Sequence, residues 1–182
     1  AAVFFTSGCN FRCGFCQNSQ LLGTKQEGIT WERLEEACAE FREKWATGVV
    51  ITGGEPTIAH DIEDLISFFR GQGFSVKLDT NGSHPATLER VLPLVDYCAV
   101  DIKCSLESYP EFVGFQDTGQ VRESIDLLKE GDTPHEFRTT LIESYHTDAE
   151  LHRMGKILEG ASLYFVQPFL PREDLPDPSL RN

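Results

Sequence analysis

Cys9, Cys13 and Cys16 place three of the chain's six cysteines within eight residues. No basic-then-apolar export segment opens the chain, so such a group points to metal or redox work rather than to disulfides. The segment Gly8-Cys9-Asn10-Phe11-Arg12-Cys13-Gly14-Phe15-Cys16 follows directly on a short apolar run. In a parallel α/β fold that is the loop on which sites are built. A zinc ion normally takes a fourth protein ligand, and His60 and His84 have no motif-like spacing to the trio. A cubane iron–sulfur cluster held by three cysteines instead leaves one iron open to a chelating small molecule. Free or redox-active thiols are the third possibility.

A second motif lies at the end of another apolar run: Ile51-Thr52-Gly53-Gly54-Glu55-Pro56-Thr57. Adjacent glycines let backbone polar groups come close to a ligand, and Glu55 can accept from an ammonium group. Taken alone, the segment is equally an ordinary strand-to-helix turn. Two further runs end in charge, Lys77-Leu78-Asp79-Thr80-Asn81-Gly82 and Val100-Asp101-Ile102-Lys103. Strand alternation puts Ala99, Asp101 and Lys103 on one face, away from Cys98, Val100 and Ile102. Charges on an inner face are costly unless they pair or bind something, so this face is either a ligand wall or an Asp101–Lys103 or Asp79–Lys103 ion pair. Arg138, on a mid-chain strand, likewise needs an acceptor, either a ligand carboxylate or a structural Asp. Asn81-Gly82 by itself signals a tight turn.

The elements that must position these residues alternate along the chain. Val3–Thr6, Val49–Thr52, Phe74–Asp79, Tyr97–Ile102, Glu136–Leu141 and Leu163–Gln167 are short and largely apolar, as strands covered on both faces must be. Between them, Trp31–Trp45, Asp61–Arg70, Pro85–Leu92, Gln120–Lys129 and Asp148–Leu158 carry apolar residues three and four apart and are predicted helices. Thr30 supplies an N-cap, His60-Asp61-Ile62-Glu63 puts acid into a first turn, and Gly48, Gly71-Gln72-Gly73 and Gly131 mark stops. Cys38 and Cys98 are expected in the core, while Cys104, beside Lys103, has a route to the cavity. Trp31 and Trp45 bracket one helix as packing anchors. His60 is expected to enter a helix, and His84, His135, His146 and His152 to lie in loops or on the surface. This βα rhythm requires a parallel sheet, either open and doubly wound or curved into a barrel.

Composition bounds the rest. The chain has 182 residues, with 16 Lys+Arg against 29 Asp+Glu for a formal charge of −13. That length suits one soluble domain that buries roughly 70% of its unfolded surface and needs no disulfide staple. No apolar stretch approaches the ~20 residues of a membrane span. An acidic surface without a Lys/Arg cluster disfavours nucleic acid as a partner, and membrane association is not expected. A single core domain over 1–182 is expected, with 168–182 an irregular tail that straps the surface. The location expected is cytoplasmic.

Taken together, the Cys-x3-Cys-x2-Cys loop and the Gly-Gly-Glu-Pro turn resemble the radical S-adenosylmethionine superfamily. The resemblance implies a partial (β/α)6 barrel in the α/β class. It further implies that Cys9, Cys13 and Cys16 ligate a [4Fe–4S] cluster, that Phe15 lies against the adenine, and that Gly53, Gly54 and Glu55 hold the amino end of the methionine moiety. One electron from the cluster would cleave the cofactor to methionine and a 5′-deoxyadenosyl radical.

The third and fourth strand ends, with Phe137-Arg138-Thr139-Thr140, look like the glycyl-radical-enzyme activases within that superfamily. By that resemblance Asp79, Thr80 and Asp101 surround a small monovalent cation, while Lys103 and Arg138 approach the methionine carboxylate. Val3-Phe4-Phe5, Lys77 to Gly82, Val95-Asp96-Tyr97 and Gln167-Pro168-Phe169 are most similar to activating proteins of anaerobic ribonucleotide reductase. The implied partners are that reductase and a flavodoxin or ferredoxin electron donor. The sequence departs from parts of the pattern: no second cysteine cluster follows Cys16, and the lead-in before the first strand is missing. A radical enzyme acting on a small molecule or a peptide side chain, and a non-catalytic metal-binding module, are the alternatives.

Overall fold

The computed structural model describes residues 1–23 and 28–181. Six strands form one sheet: β1 (Ala2–Thr6), β2 (Gly48–Gly53), β3 (Ser75–Thr80), β4 (Tyr97–Asp101), β5 (His135–Leu141) and β6 (Tyr164–Pro168). All five pairings are parallel and the spatial order follows the chain, β1 to β6. A doubly wound sheet would reverse its order at a switch point. Unbroken order with parallel crossovers is the winding of a barrel, here left open because β1 and β6 do not pair with each other.

The helices are α1 (Trp31–Glu43), α2 (Ile62–Gly71), α3 (Pro85–Val91), α4 (Tyr109–Phe112), α5 (Thr118–Glu130) and α6 (Asp148–Ile157). Strand period two sorts the side chains. Val49, Ile51, Val76, Leu78, Cys98, Val100 and Phe137 are buried with Ile66 and Phe69 of α2, Leu88 of α3 and Ile125 of α5. Each such side chain contributes roughly 1.5–3 kcal/mol of transfer free energy. Phe4 meets Phe69 at 4.5 Å and Phe41 of α1 at 5.8 Å. The opposite face carries Lys77, Asp79, Asp101, Glu136, Arg138 and Thr140, all only partly buried.

Caps explain most boundaries. Thr30 accepts from Arg33 N at 3.3 Å, as expected of the residue before α1. That helix ends at Glu43, earlier than its apolar pattern suggests. Trp45, not a glycine, takes the left-handed conformation (φ 67°), and Gly48 opens β2 instead of stopping a helix. Trp45 is 90% exposed and anchors nothing, whereas Trp31 packs on Phe68 at 5.3 Å. Thr147 caps α6, but the Glu150 carboxylate leaves that helix and accepts from Ser105 N and Oγ, fastening the segment after β4. Beyond β6 the chain folds back over the cysteine loop. Leu175 is fully buried there, and a short 3-10 turn covers Pro178–Leu180; Asn182, the last residue of the expected tail, lies outside the described residues. None of the helices is long and apolar enough to cross a membrane among the described residues.

Candidate active site

The cysteine loop leaves the C-terminal end of β1 and is pinned from three sides. Its aromatic residues are the first anchor: Phe11, 1% exposed, packs on Tyr109 and Phe115, and Phe15 stacks on Phe112, which stacks on Tyr145 at 3.6 Å. The second is the Gly53-Gly54 turn. Gly54 N donates to Thr6 O and Glu55 N to Gly8 O, at 2.9 and 2.8 Å. A Cβ on Gly54 would lie 1.9 Å from Gly8 O, and Gly53 sits at φ +122° with its missing Cβ 2.4 Å from Thr6 O. The glycines thus let two loops close on one another, a use of backbone approach directed at the protein itself. The third is the tail: Asp177 N donates to Gly14 O at 3.0 Å, Gln17 Nε2 to Leu170 O at 3.3 Å and Ser19 Oγ to Asp174 O at 3.4 Å.

These loops enclose a cleft of about 480 Å³ at the C-terminal ends of the strands, lined by Cys9, Cys13, Phe15, Cys16, Gly53, Gly54, Asp79, Thr80, Asp101 and Lys103 among others. Ten of the twelve site residues expected from sequence therefore share one cavity, and Glu55 and Arg138 stand behind its wall. The Glu55 side chain is 1% exposed and accepts from Thr57 N (3.0 Å), Thr57 Oγ1 (2.6 Å), Thr80 Oγ1 (2.5 Å) and Asn81 N (2.6 Å). It ties β2 to the turn after β3. Burial raises its pKa, outweighing the four donors.

Arg138 donates from Nε to Asp101 at 2.9 Å and reaches Asp79 from Nη2 at 3.2 Å. Lys103 Nζ holds the other Asp101 oxygen at 3.1 Å. Lys77 lies 3.5 Å from Asp79 and 3.1 Å from Glu136, which also accepts from Tyr97 at 3.0 Å. The inner wall is a continuous ion-pair network. Asp101 is pushed up by burial and pulled further down by Lys103 and Arg138, so its carboxyl stays below the usual range. The Thr80 hydroxyl is turned to Glu55, so Asp79 and Asp101 face a guanidinium where a small cation is implied by resemblance.

All six cysteines are free thiols. Burial pushes Cys13 up to about 12 and also raises Cys9, with the Lys103 charge working against both shifts. Cys38 and Cys98 are in the core as expected; Cys104 is fully buried and does not line the cleft. His146 departs from expectation. It is 5% exposed, accepting at Nδ1 from Ile142 N and donating from Nε2 to Lys103 O, both at 2.9 Å.

Thr52, Thr140 and Gln167 also line the cleft; each falls within one of the sequence motifs, but the motifs give none of them a role. For Thr140 and Gln167 the signal is register: they pair on adjacent strands, two positions beyond Arg138 on the inner face.

The donor set tests which metal group could sit here. Among the described residues no three His, Cys, Asp or Glu side chains close on a point suited to a single ion. Three thiols in one cleft, next to a cavity with room for a ligand, are the donor set a cubane cluster takes when one iron is left open. The remaining cavity falls within the range of small-molecule sites.

Comparison with known proteins agrees. The chain is 33% identical over 181 residues to a protein of Methanocaldococcus jannaschii named, itself by inference, as a glycyl-radical enzyme activating enzyme, covering 95% of this chain and 74% of the relative. It is 29% identical over 132 residues to a 7-carboxy-7-deazaguanine synthase of Neisseria meningitidis serogroup B, covering 72% of this chain and 55% of the relative. A GTP 3′,8-cyclase of Brucella ovis is 25% identical over 170 residues, 88% of this chain and 49% of the relative. The chain thus spans about half the length of these last two. SuiB of Streptococcus suis, solved with its precursor peptide SuiA, has the same fold at a TM-score of 0.74 and 14% identity, over 93% of this chain and 39% of SuiB. Residues 3–154 match the Radical SAM superfamily. The chain belongs to the radical SAM superfamily, whose cofactors are a [4Fe–4S] cluster and S-adenosylmethionine.

Proposed function

We propose that the chain is the catalytic core of a glycyl-radical-enzyme activase, acting in the cytoplasm on anaerobic ribonucleotide reductase with electrons from a flavodoxin or ferredoxin. When bound, the cluster would supply the electron for reductive cleavage of S-adenosylmethionine, the source of a hydrogen-abstracting 5′-deoxyadenosyl radical. In this reading Cys9, Cys13 and Cys16 hold the cluster and release their thiol protons to solvent as they bind. Phe15, its ring 6.0 Å from Lys103 Nζ, offers an apolar face to the adenine. Gly53 and Gly54 present backbone groups to the methionine end, and Glu55 fixes the turn that carries them. Lys103, oriented by Asp101, supplies positive charge for the carboxylate, with Arg138 behind it.

One observation carries the choice of substrate. Among the described residues Lys103 is the cation lining the cleft, and it is paired with Asp101, while Asp79 adds a second carboxylate. A nucleoside triphosphate would meet no free counter-charge in this part of the molecule. Thr52, Thr140 and Gln167 instead offer neutral hydrogen-bonding groups beside a sheet left open between β1 and β6, which suits an uncharged peptide loop with glycine at its tip. The relative covering 95% of the chain carries an activase name, which supports the same reading.

The test is anaerobic: reconstitute with iron and sulfide, add dithionite and S-adenosylmethionine, and assay 5′-deoxyadenosine with and without the reductase. Nucleoside together with a glycyl-radical doublet on the reductase is expected. Nucleoside with no doublet would refute this partner, and turnover of a small molecule or peptide side chain would replace the activase reading. No nucleoside from a fully loaded cluster would favour a non-catalytic module.

A further inference from the structure

The turn after β3 does more than follow a strand. Asn81 is 6% exposed, and its carboxamide is held in one orientation. Oδ1 accepts from Ser83 N at 2.9 Å, so the NH2 end must face the other way. There it donates to Asn10 Oδ1 at 3.0 Å and approaches Cys9 Sγ at 4.0 Å. Asn10 in turn donates from Nδ2 to Ser83 Oγ at 2.8 Å, and Ser83 Oγ meets His84 Nδ1 at 2.9 Å. Phe11 N adds a backbone donor to Cys9 Sγ at 3.4 Å. Two N–H donors, the Asn81 side-chain amide and the Phe11 backbone, thus aim at one sulfur, and Ser83 N and Asn10 Oδ1 hold the Asn81 carboxamide in that orientation.

We infer that Asn81, oriented by Asn10 and Ser83, sets the reduction potential of the cluster by donating an N–H to the sulfur of Cys9. This rests on the reading of Cys9 as a cluster ligand. Hydrogen bonds to ligand sulfurs are among the levers that fix iron–sulfur potentials, and outer partners that orient them carry comparable weight. Reduction adds negative charge that spreads onto the ligand sulfurs. A donor aimed at one of them stabilises the reduced form and raises the potential. Asn81 is therefore a positioning and tuning residue, distinct from the groups that touch the reacting bond.

The experiment is an EPR-monitored redox titration of the reconstituted full chain, without S-adenosylmethionine, beside iron and sulfide analysis. Asn81→Ala, which removes the donor without adding charge, is expected to move the midpoint to more negative potential at unchanged iron and sulfide content. Asn81→Asp, which also places a carboxylate near the sulfur, should move it further. Asn10→Ala leaves the Asn81 amide in place but unbraced, and should shift it in the same direction by less. Asn10 does not line the cleft, so its effect cannot be a lost cofactor contact. A wild-type midpoint in Asn81→Ala at full iron content overturns the inference. Should that variant fail to hold a cluster, Asn10→Ala decides: a wild-type midpoint there overturns the inference equally. Retention of a wild-type cluster in Cys9→Ala would instead refute the ligand reading underneath.

Discussion

Glu55→Ala removes an acceptor that four donors share, and the structure sets the size of the effect. Two of those donors, Thr57 N and Asn81 N, belong to the backbone and cannot turn elsewhere. The hydroxyls of Thr57 and Thr80 can rotate, although Thr80 Oγ1 already accepts from Gly82 N at 3.2 Å. Each orphaned buried donor costs about 1–3 kcal/mol, so the two fixed ones cost about 2–6. Relief of a buried carboxylate offsets part of this, leaving a net loss of about 3 kcal/mol. For a chain of this length that lowers Tm by about 6–12 °C. The assay is thermal and urea unfolding of the cluster-free chain under anaerobic conditions, with hydrogen exchange at Asn81 as the local probe. Burial raises the Glu55 pKa, so its contribution to stability is greatest below the ordinary carboxylate value and is lost as pH rises. The gap between wild type and variant should therefore narrow from acid to neutral pH. A variant within about 1 kcal/mol of wild type at every pH would refute Glu55 as the pin of this turn.

Arg138→Met leaves Asp79 and Asp101 facing each other without their bridge. Because the Asp101 side chain is 34% exposed, the loss at neutral pH should fall below that of a fully buried broken pair, about 2 kcal/mol in urea unfolding. Asp101 is held below the usual range, so its stabilisation is present above that range and lost on acidification through its lowered value; in the variant this acid loss should shrink, and an unchanged pH profile would count against the bridge. Gly14→Ala puts a Cβ 2.9 Å from Asp177 Cβ. The tail should lift from the cysteine loop and become protease-sensitive, and iron should leave a reconstituted sample to a chelator several-fold faster. Equal protection in variant and wild type would show that the tail is not seated on that residue.

What the sequence determined by itself is what local chemistry sets. Period-two and three-to-four spacings placed the six strands and the five longer helices to within a few residues, because each pattern acts over one strand or one turn. The cysteine spacing and the paired glycines were legible for the same reason. The order of the strands was not, since open and closed windings share one rhythm; only the pairing register separates them. The partners of the polar residues were also beyond a one-dimensional reading. Glu55 bonds Asn81 across 26 positions, Asn81 meets Asn10 across 71, and Gln17 reaches Leu170 across 153. A buried carboxylate takes whichever donors the fold brings within 3 Å, so Glu55 became a brace and Arg138 a bridge. His146 shows the same dependence, since a histidine in a loop is surface until some other carbonyl, here that of Lys103, comes to meet it.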